Sequence, residues 1–210
     1  MPDPLNHFLH QHFPGLKLQT GLFYSWPVGL RFELATDTHI ATTDDYFREA
    51  VHRASVLFQA VFQPDDEVLV VYQQPADKRR RIRVGNFLLR QCGIGRSQVR
   101  FQRIPAPHPD SYCRQWHRAS FLTPAAAIHF PAILTALAHQ DFPPRKPALH
   151  GEVFFIHPRR GLIWHMYDDR GLDILAPAPA ALQDLYHTHH AWLLDYDRAR
   201  MRAVFEPPRG

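Results

Sequence analysis

Nine polar side chains set among apolar neighbours are where this sequence could do chemistry. Arg31 and Glu33 alternate with Leu30, Phe32 and Leu34; Asp168, Asp169, Arg170 and Asp173 crowd one short stretch; Asp195, Asp197 and Arg198 close another. Clustered carboxylates can hold Mg2+ or Ca2+, but the spacing here is not that of a calcium loop. An Arg/Asp network of this kind can also form a ligand or substrate site. The plainer reading of Asp168-Asp169-Arg170-Gly171 is a turn, because Asp bonds its own backbone and Gly accepts positive φ, with Arg170 paired to one of the acids. Asp195 and Asp197 admit the same alternatives: they cap the following helix or bind an arginine such as Arg31. The acids are therefore expected to act as a structural polar lock, with no metal and no cofactor.

A second group of residues is basic. Lys78, Arg79, Arg80, Arg81, Arg83, Arg90, Arg96, Arg100 and Arg103 follow one another with no Asp or Glu between them. Such a run attracts a phosphate backbone through counterion release, yet no recognised nucleic-acid motif accompanies it. A docking face for an acidic protein fits it better, with Arg79, Arg80, Arg81, Arg83, Arg96 and Arg100 as the contacts; nucleic-acid binding is the alternative. Only three lysines occur, so the net charge of +4 is carried by arginine, a skew that a GC-rich genome also produces.

Other chemistry finds little support. Fifteen histidines include no HExxH or His/Cys set, and His165, among aromatic neighbours, reads as a hydrogen-bonded core residue. Ser25, Ser120, Cys92 and Cys113 lack a nucleophile elbow, and Gly93-Ile-Gly95 lacks the rest of a dinucleotide fingerprint. The two cysteines form no metal-ligand spacing and suit free thiols in a reducing compartment. The N-terminus has no signal-peptide pattern and no stretch approaches the ~20 apolar residues that span a bilayer, so a cytoplasmic protein with no membrane association is expected.

The elements that position these residues follow from periodicity. The spacing predicts a helix over 4–13 and extended chain from Leu22 to Leu34, with a half-buried strand beyond Pro27. A helix is predicted from Thr43 to Phe62, capped by Thr42 or Thr43, with Asp44 and Asp45 at its positive end and one apolar face. Glu67 to Tyr72 reads as an interior strand. Gln98 to Ile104 and Tyr112 to Phe121 read as strands and Phe130 to Phe142 as a helix. Glu152 to Ile156, Leu162 to Tyr167 and Leu172 to Ala176 read as a strand meander. A helix opened by Pro177 and Pro179 follows, with Leu182, Leu185, Tyr186, His189 and Leu193 inward. Without a βαβ rhythm, the chain is expected to be α+β: a mainly antiparallel sheet built from hairpins, helices packed on it, in a single domain over 1–210. A candidate internal linker lies near 142–150.

Three segments carry a resemblance: FYSWPVGLRFEL (Phe23 to Leu34), YDDRGLDILA (Tyr167 to Ala176) and LYHTHHAWLLDYDR (Leu185 to Arg198). Their order and spacing resemble a bacterial family catalogued as domain of unknown function 3885, over most of the chain except about 77 to 147. The resemblance implies no reaction. Small proteins of this type are similar to immunity or partner proteins of bacterial toxin systems, which implies a non-catalytic, protein-binding role; an enzyme or small-ligand binder is the alternative.

Overall fold

The computed structural model describes residues 3–36, 43–76, 82, 86–108, 111, 113–143 and 145–206. Its centre is one antiparallel sheet of seven strands: β1 (Gly29–Glu33), β2 (Glu67–Pro75), β3 (Arg100–Pro105), β4 (Gln115–Pro124), β5 (Glu152–His157), β6 (Leu162–Met166) and β7 (Gly171–Leu175). Their order across the sheet is β1-β7-β6-β5-β2-β4-β3. With helices on the sheet, this is the α+β arrangement that the mixed pattern predicts.

Alternation along each strand gives the sheet two unlike faces. Leu30, Phe32, Val70, Phe155, Trp164 and Ile174 point to one face, under α3 (Asp44–Val61) and α5 (Phe130–Ala138). The Thr43 hydroxyl caps α3 at the Tyr46 N–H, and Asp44 and Asp45 fill its first turn, which satisfies an end donor and suits the helix dipole. Leu69, Val71, Phe154, Ile156, Ile163 and Leu175 point the other way. That face meets α1 (Pro4–His12), whose N-cap is Asp3, and the chain that follows it through Leu16, Leu18 and Leu22.

Two predictions of local structure need correction. Leu22 to Ser25 is not extended but a single helical turn, α2 (Leu22–Ser25), entered through Gly21 at φ 82°. It turns the Phe23 N–H onto the Asp173 carboxylate at 3.1 Å. The helix after Pro179 is shorter than its periodicity implies: α6 (Gln183–Thr188) gives way to 3-10 turns at His190–Trp192 and Asp195–Asp197 before α7 (Arg198–Phe205). There the chain leaves the helix to run along the β1 edge, where Leu194 N–H donates to the Arg31 carbonyl at 2.9 Å and Leu193 bridges Phe32. No helix among the described residues is long and apolar enough to cross a membrane.

Gly171 also differs from expectation. It has no positive φ; it opens β7 under the Tyr167 ring, where a Cβ would collide with the Tyr167 hydroxyl and stand 3.1 Å from the Phe32 carbonyl. Close packing, not turn geometry, requires a glycine there.

Candidate functional site

The sheet face that α1 and the chain after it cover carries polar side chains in two groups. In the first, register places Arg31 of β1 opposite Asp173 of β7, and Asp173 opposite His165 of β6. Arg31 Nε lies 2.8 Å from Asp173 Oδ1 and Nη2 3.3 Å from Oδ2, a forked pair sealed from solvent. Nη1 is 3.8 Å from Asp197, whose Oδ2 accepts the Tyr24 hydroxyl at 2.8 Å. The rings of Tyr24 and Tyr167 flank the guanidinium at 4.6 and 5.0 Å, within cation–π range. Burial pushes the Asp173 carboxyl above the usual carboxylate range, and the Arg31 pair and the Phe23 N–H pull it back only in part. The group binds α2, β1, β7 and the chain before α7 at one point.

The second group stands on β5, β2 and β4. Glu152, Gln73 and Arg118 face one another across those strands. Glu152 Oε1 accepts the Thr20 N–H and hydroxyl, each at 2.8 Å, and lies 2.7 Å from His108 Nε2; its Oε2 accepts Gln73 Nε2 at 2.6 Å. The same Gln73 amide donates to the Leu18 carbonyl, while its oxygen accepts Arg118 Nε at 3.0 Å and Nη2 at 2.8 Å. Burial opposes charge on Glu152; the His165 ring when protonated, and the bonds from Gln73, His108 and Thr20, outweigh it and hold the carboxyl below its usual range. Farther out, Gln102 donates to Asp3 at 2.9 Å. These bonds fasten the segment from Asp3 to Phe23 onto the sheet.

His165 sits between the two groups. Its ring stacks on Phe154 at 4.2 Å, is wholly buried, and neither ring nitrogen has a hydrogen-bond partner among the described residues. Burial pushes its pKa down to about 4. The core histidine is as expected; its hydrogen bonding is not.

Three stretches far apart in sequence meet at Arg31, which pairs with Asp173 and approaches Asp197, and the comparisons with known proteins cover the same span. A family model described as domain of unknown function (DUF3885) matches residues 5–197. The chain belongs to this family. It is also similar to the protein titled "Uncharacterized protein YnaE" of Bacillus subtilis (strain 168), 23% identical over 207 residues that cover 90% of this chain and 96% of that one. No solved structure matches.

In this DUF3885 chain, the nine polar candidates do not form one network. Arg31, Asp173 and Asp197 come together. Asp168 instead holds Arg170, accepting its backbone N–H at 2.8 Å and its Nε at 2.9 Å. Asp169 accepts the Tyr46 hydroxyl of α3 at 2.5 Å; burial and that bond raise the Tyr46 pKa. Asp195 pairs with Arg198 at the surface, and Arg198 also donates to the carbonyls of His190 and Leu193. Glu33 offers its backbone carbonyl to Arg53 at 3.1 Å, and among the described residues its carboxylate forms no ion pair. No group of three His, Cys, Asp or Glu among the described residues is arranged to hold a metal.

Of the basic candidates, Arg96 and Arg100 are exposed beside and on β3, and Arg100 lies 3.6 Å from Asp3. Arg79, Arg80, Arg81 and Arg83 lie outside the described residues. Sequence reasoning missed Glu152, Gln73, Arg118, His108 and Thr20. The signal that could have found them is a polar residue at the start or end of an otherwise apolar strand, as Glu152 precedes Val153-Phe154-Phe155-Ile156.

Proposed function

We propose that this protein is a non-catalytic binding protein that docks an extended acidic segment of a protein partner along β3. The observation that carries this is the nature of that edge. Among the described residues β3 pairs only with β4, on one side, and its exposed side chains are Arg100, Phe101, Arg103 and Pro105, with Arg96 just before it. An unpaired edge offers N–H and C=O groups to an added strand. Arginines there repel a second copy of the same edge and favour an acidic strand, which they steer electrostatically.

Charge distribution supports the same reading. From Lys78 to Gln140 there are eleven Lys and Arg against one acid, Asp110, leaving thirteen basic and nineteen acidic residues elsewhere. Beside the edge, an apolar groove of about 560 Å³ runs between Pro4, Leu69, Val99, Arg100 and Leu122, with Leu122 and Phe101 both exposed, room for the alternate side chains of a docked strand. The carboxylates that could serve a reaction at Arg31 are engaged by protein groups, which favours binding over catalysis. In this reading the role is that of an immunity-type or partner protein.

The test uses the full chain as bait and the triple variant Arg96→Glu, Arg100→Glu, Arg103→Glu. The wild type should retain an acidic protein that, once purified, binds one to one with an affinity that falls with salt. The variant should bind it about tenfold or more weakly at low salt. Undiminished binding by the variant, or retention that nuclease treatment abolishes, would overturn the proposal; the second outcome would point to nucleic acid.

A further inference from the structure

On the sheet face that α1 covers, beyond the Glu152 group, the N-terminal segment and the end of β3 border a half-open cavity of about 290 Å³. Leu9, Leu16, Leu18 and Ile104 wall it, and Arg118 and Lys17 supply its charge. Its volume lies just below the usual range of about 300–1,000 Å³ for ligand sites, and the pattern of apolar walls with a few convergent polar groups is theirs.

Arg118 is the informative residue. Its two hydrogen bonds from Nε and Nη2 both end on the neutral oxygen of Gln73. The two acids whose charge acts on it, Asp3 and Glu152, are engaged elsewhere, Asp3 by Leu5 and Gln102 and Glu152 by Thr20, Gln73 and His108. Burial disfavours the charged guanidinium and lowers its pKa. Among the described residues this partly buried cation is hydrogen-bonded only to an amide and has no acid in direct contact, so it retains N–H donors, and the more distant Asp3 and Glu152 offset its desolvation only in part.

We infer that this cavity binds a small organic monocarboxylate with a short apolar tail. The carboxylate meets the free edge of the Arg118 guanidinium, since a planar pair of oxygens matches that donor fork. Lys17, exposed at the mouth, adds a second charge, and the tail lies against Leu9, Leu16 and Ile104. A bare inorganic anion suits the site less, because the apolar walls would strip its water without replacing it. This site does not depend on strand docking at β3.

Titration calorimetry of the full chain with octanoate, 1-octanol, acetate and inorganic phosphate tests the inference. Octanoate should bind saturably, one per chain, about tenfold or more tightly than octanol, the difference that one charge-assisted hydrogen-bonded contact supplies. Acetate and phosphate should bind more weakly than octanoate. Arg118→Gln should abolish the preference for octanoate over octanol, and Ile104→Trp should block both, with thermal melting confirming that each variant folds. If Arg118→Gln does not fold, Lys17→Ala should still reduce octanoate binding and leave octanol unchanged. Absence of saturable octanoate binding, equal binding of octanoate and octanol, or an undiminished preference in Arg118→Gln overturns the assignment.

Discussion

Arg31 and Asp173 are both nearly sealed from water, so each depends on the other. Removing one member of a buried pair leaves an uncompensated charge and costs about 3–5 kcal/mol, whereas replacing both with apolar residues costs far less. Arg31→Met should therefore destabilise strongly, and adding Asp173→Leu should recover much of the loss in urea unfolding. The single variant carries a further signature. Its Asp173, already raised by burial, would rise further without the guanidinium. A carboxyl whose folded pKa exceeds its unfolded one contributes stability below the unfolded value and loses it as pH rises. The deficit of Arg31→Met should grow from acid towards neutral pH; a deficit independent of pH would mean that Asp173 is solvated. His165 works with the opposite dependence. Unfolded, its ring titrates near about 6.5, but the buried ring stays neutral to about 4. Between those values the unfolded chain holds the extra proton, so stability is full above the window and falls as pH drops through it. The groups acting on the ring are Glu152, Arg31, Asp168 and His108. His157, also lowered by burial, adds a loss of the same sign. His165→Phe keeps a ring stacked on Phe154 and should flatten the stability curve between about pH 6.5 and 4, and a curve parallel to the wild type would contradict the buried neutral ring.

The segment from Asp3 to Phe23 reaches the sheet through apolar contacts and a few bonds that converge on Glu152 and Gln73. Glu152→Leu would strip an acceptor from the buried Gln73 amide, at about 1–3 kcal/mol for a donor left buried and unpaired, and would release the Thr20 N–H and hydroxyl to solvent, since Thr20 is exposed. Hydrogen exchange should then lose protection first around Leu18 to Phe23, while β2 and β5 stay protected; simultaneous loss everywhere would show that the segment is no separate opening unit. These connections also show what sequence could reveal. α3 was legible because its cap, its acidic first turn and its apolar spacing all agree. β1 and β7 were legible from alternation and turn chemistry, and with them the polarity of Arg31 and Asp173. The turn at Leu22–Ser25 was hidden because Leu-Phe-Tyr-Ser-Trp before Pro27 has the composition of a strand, and tertiary contact with Asp173 decides otherwise. The Glu152 group was hidden for a different reason. Gln73 and Glu152 become neighbours only through the β2–β5 register, and no local pattern specifies pairing between strands so far apart in sequence.

Across the whole molecule, that same pairing bears on how the chain unfolds. The segment near 142–150 has the proline content of a linker, yet β2, before it, lies directly against β5, after it, in the middle of the sheet. β1, from the N-terminal part, pairs with β7 near the end. A cut near 142–150 therefore separates no complete sheet: each part would expose strand edges and the apolar faces that the other covers. We accordingly expect a single cooperative domain. Trp164 and Trp116 report from opposite faces of the sheet, so tryptophan fluorescence samples both layers, while far-UV circular dichroism follows strands and helices together. In urea the two signals should trace one superimposable transition, with a slope of about 1–3 kcal/mol per molar. Transitions that separate by probe would mean that the parts flanking 142–150 unfold independently, and would remove the single-domain reading despite the shared sheet.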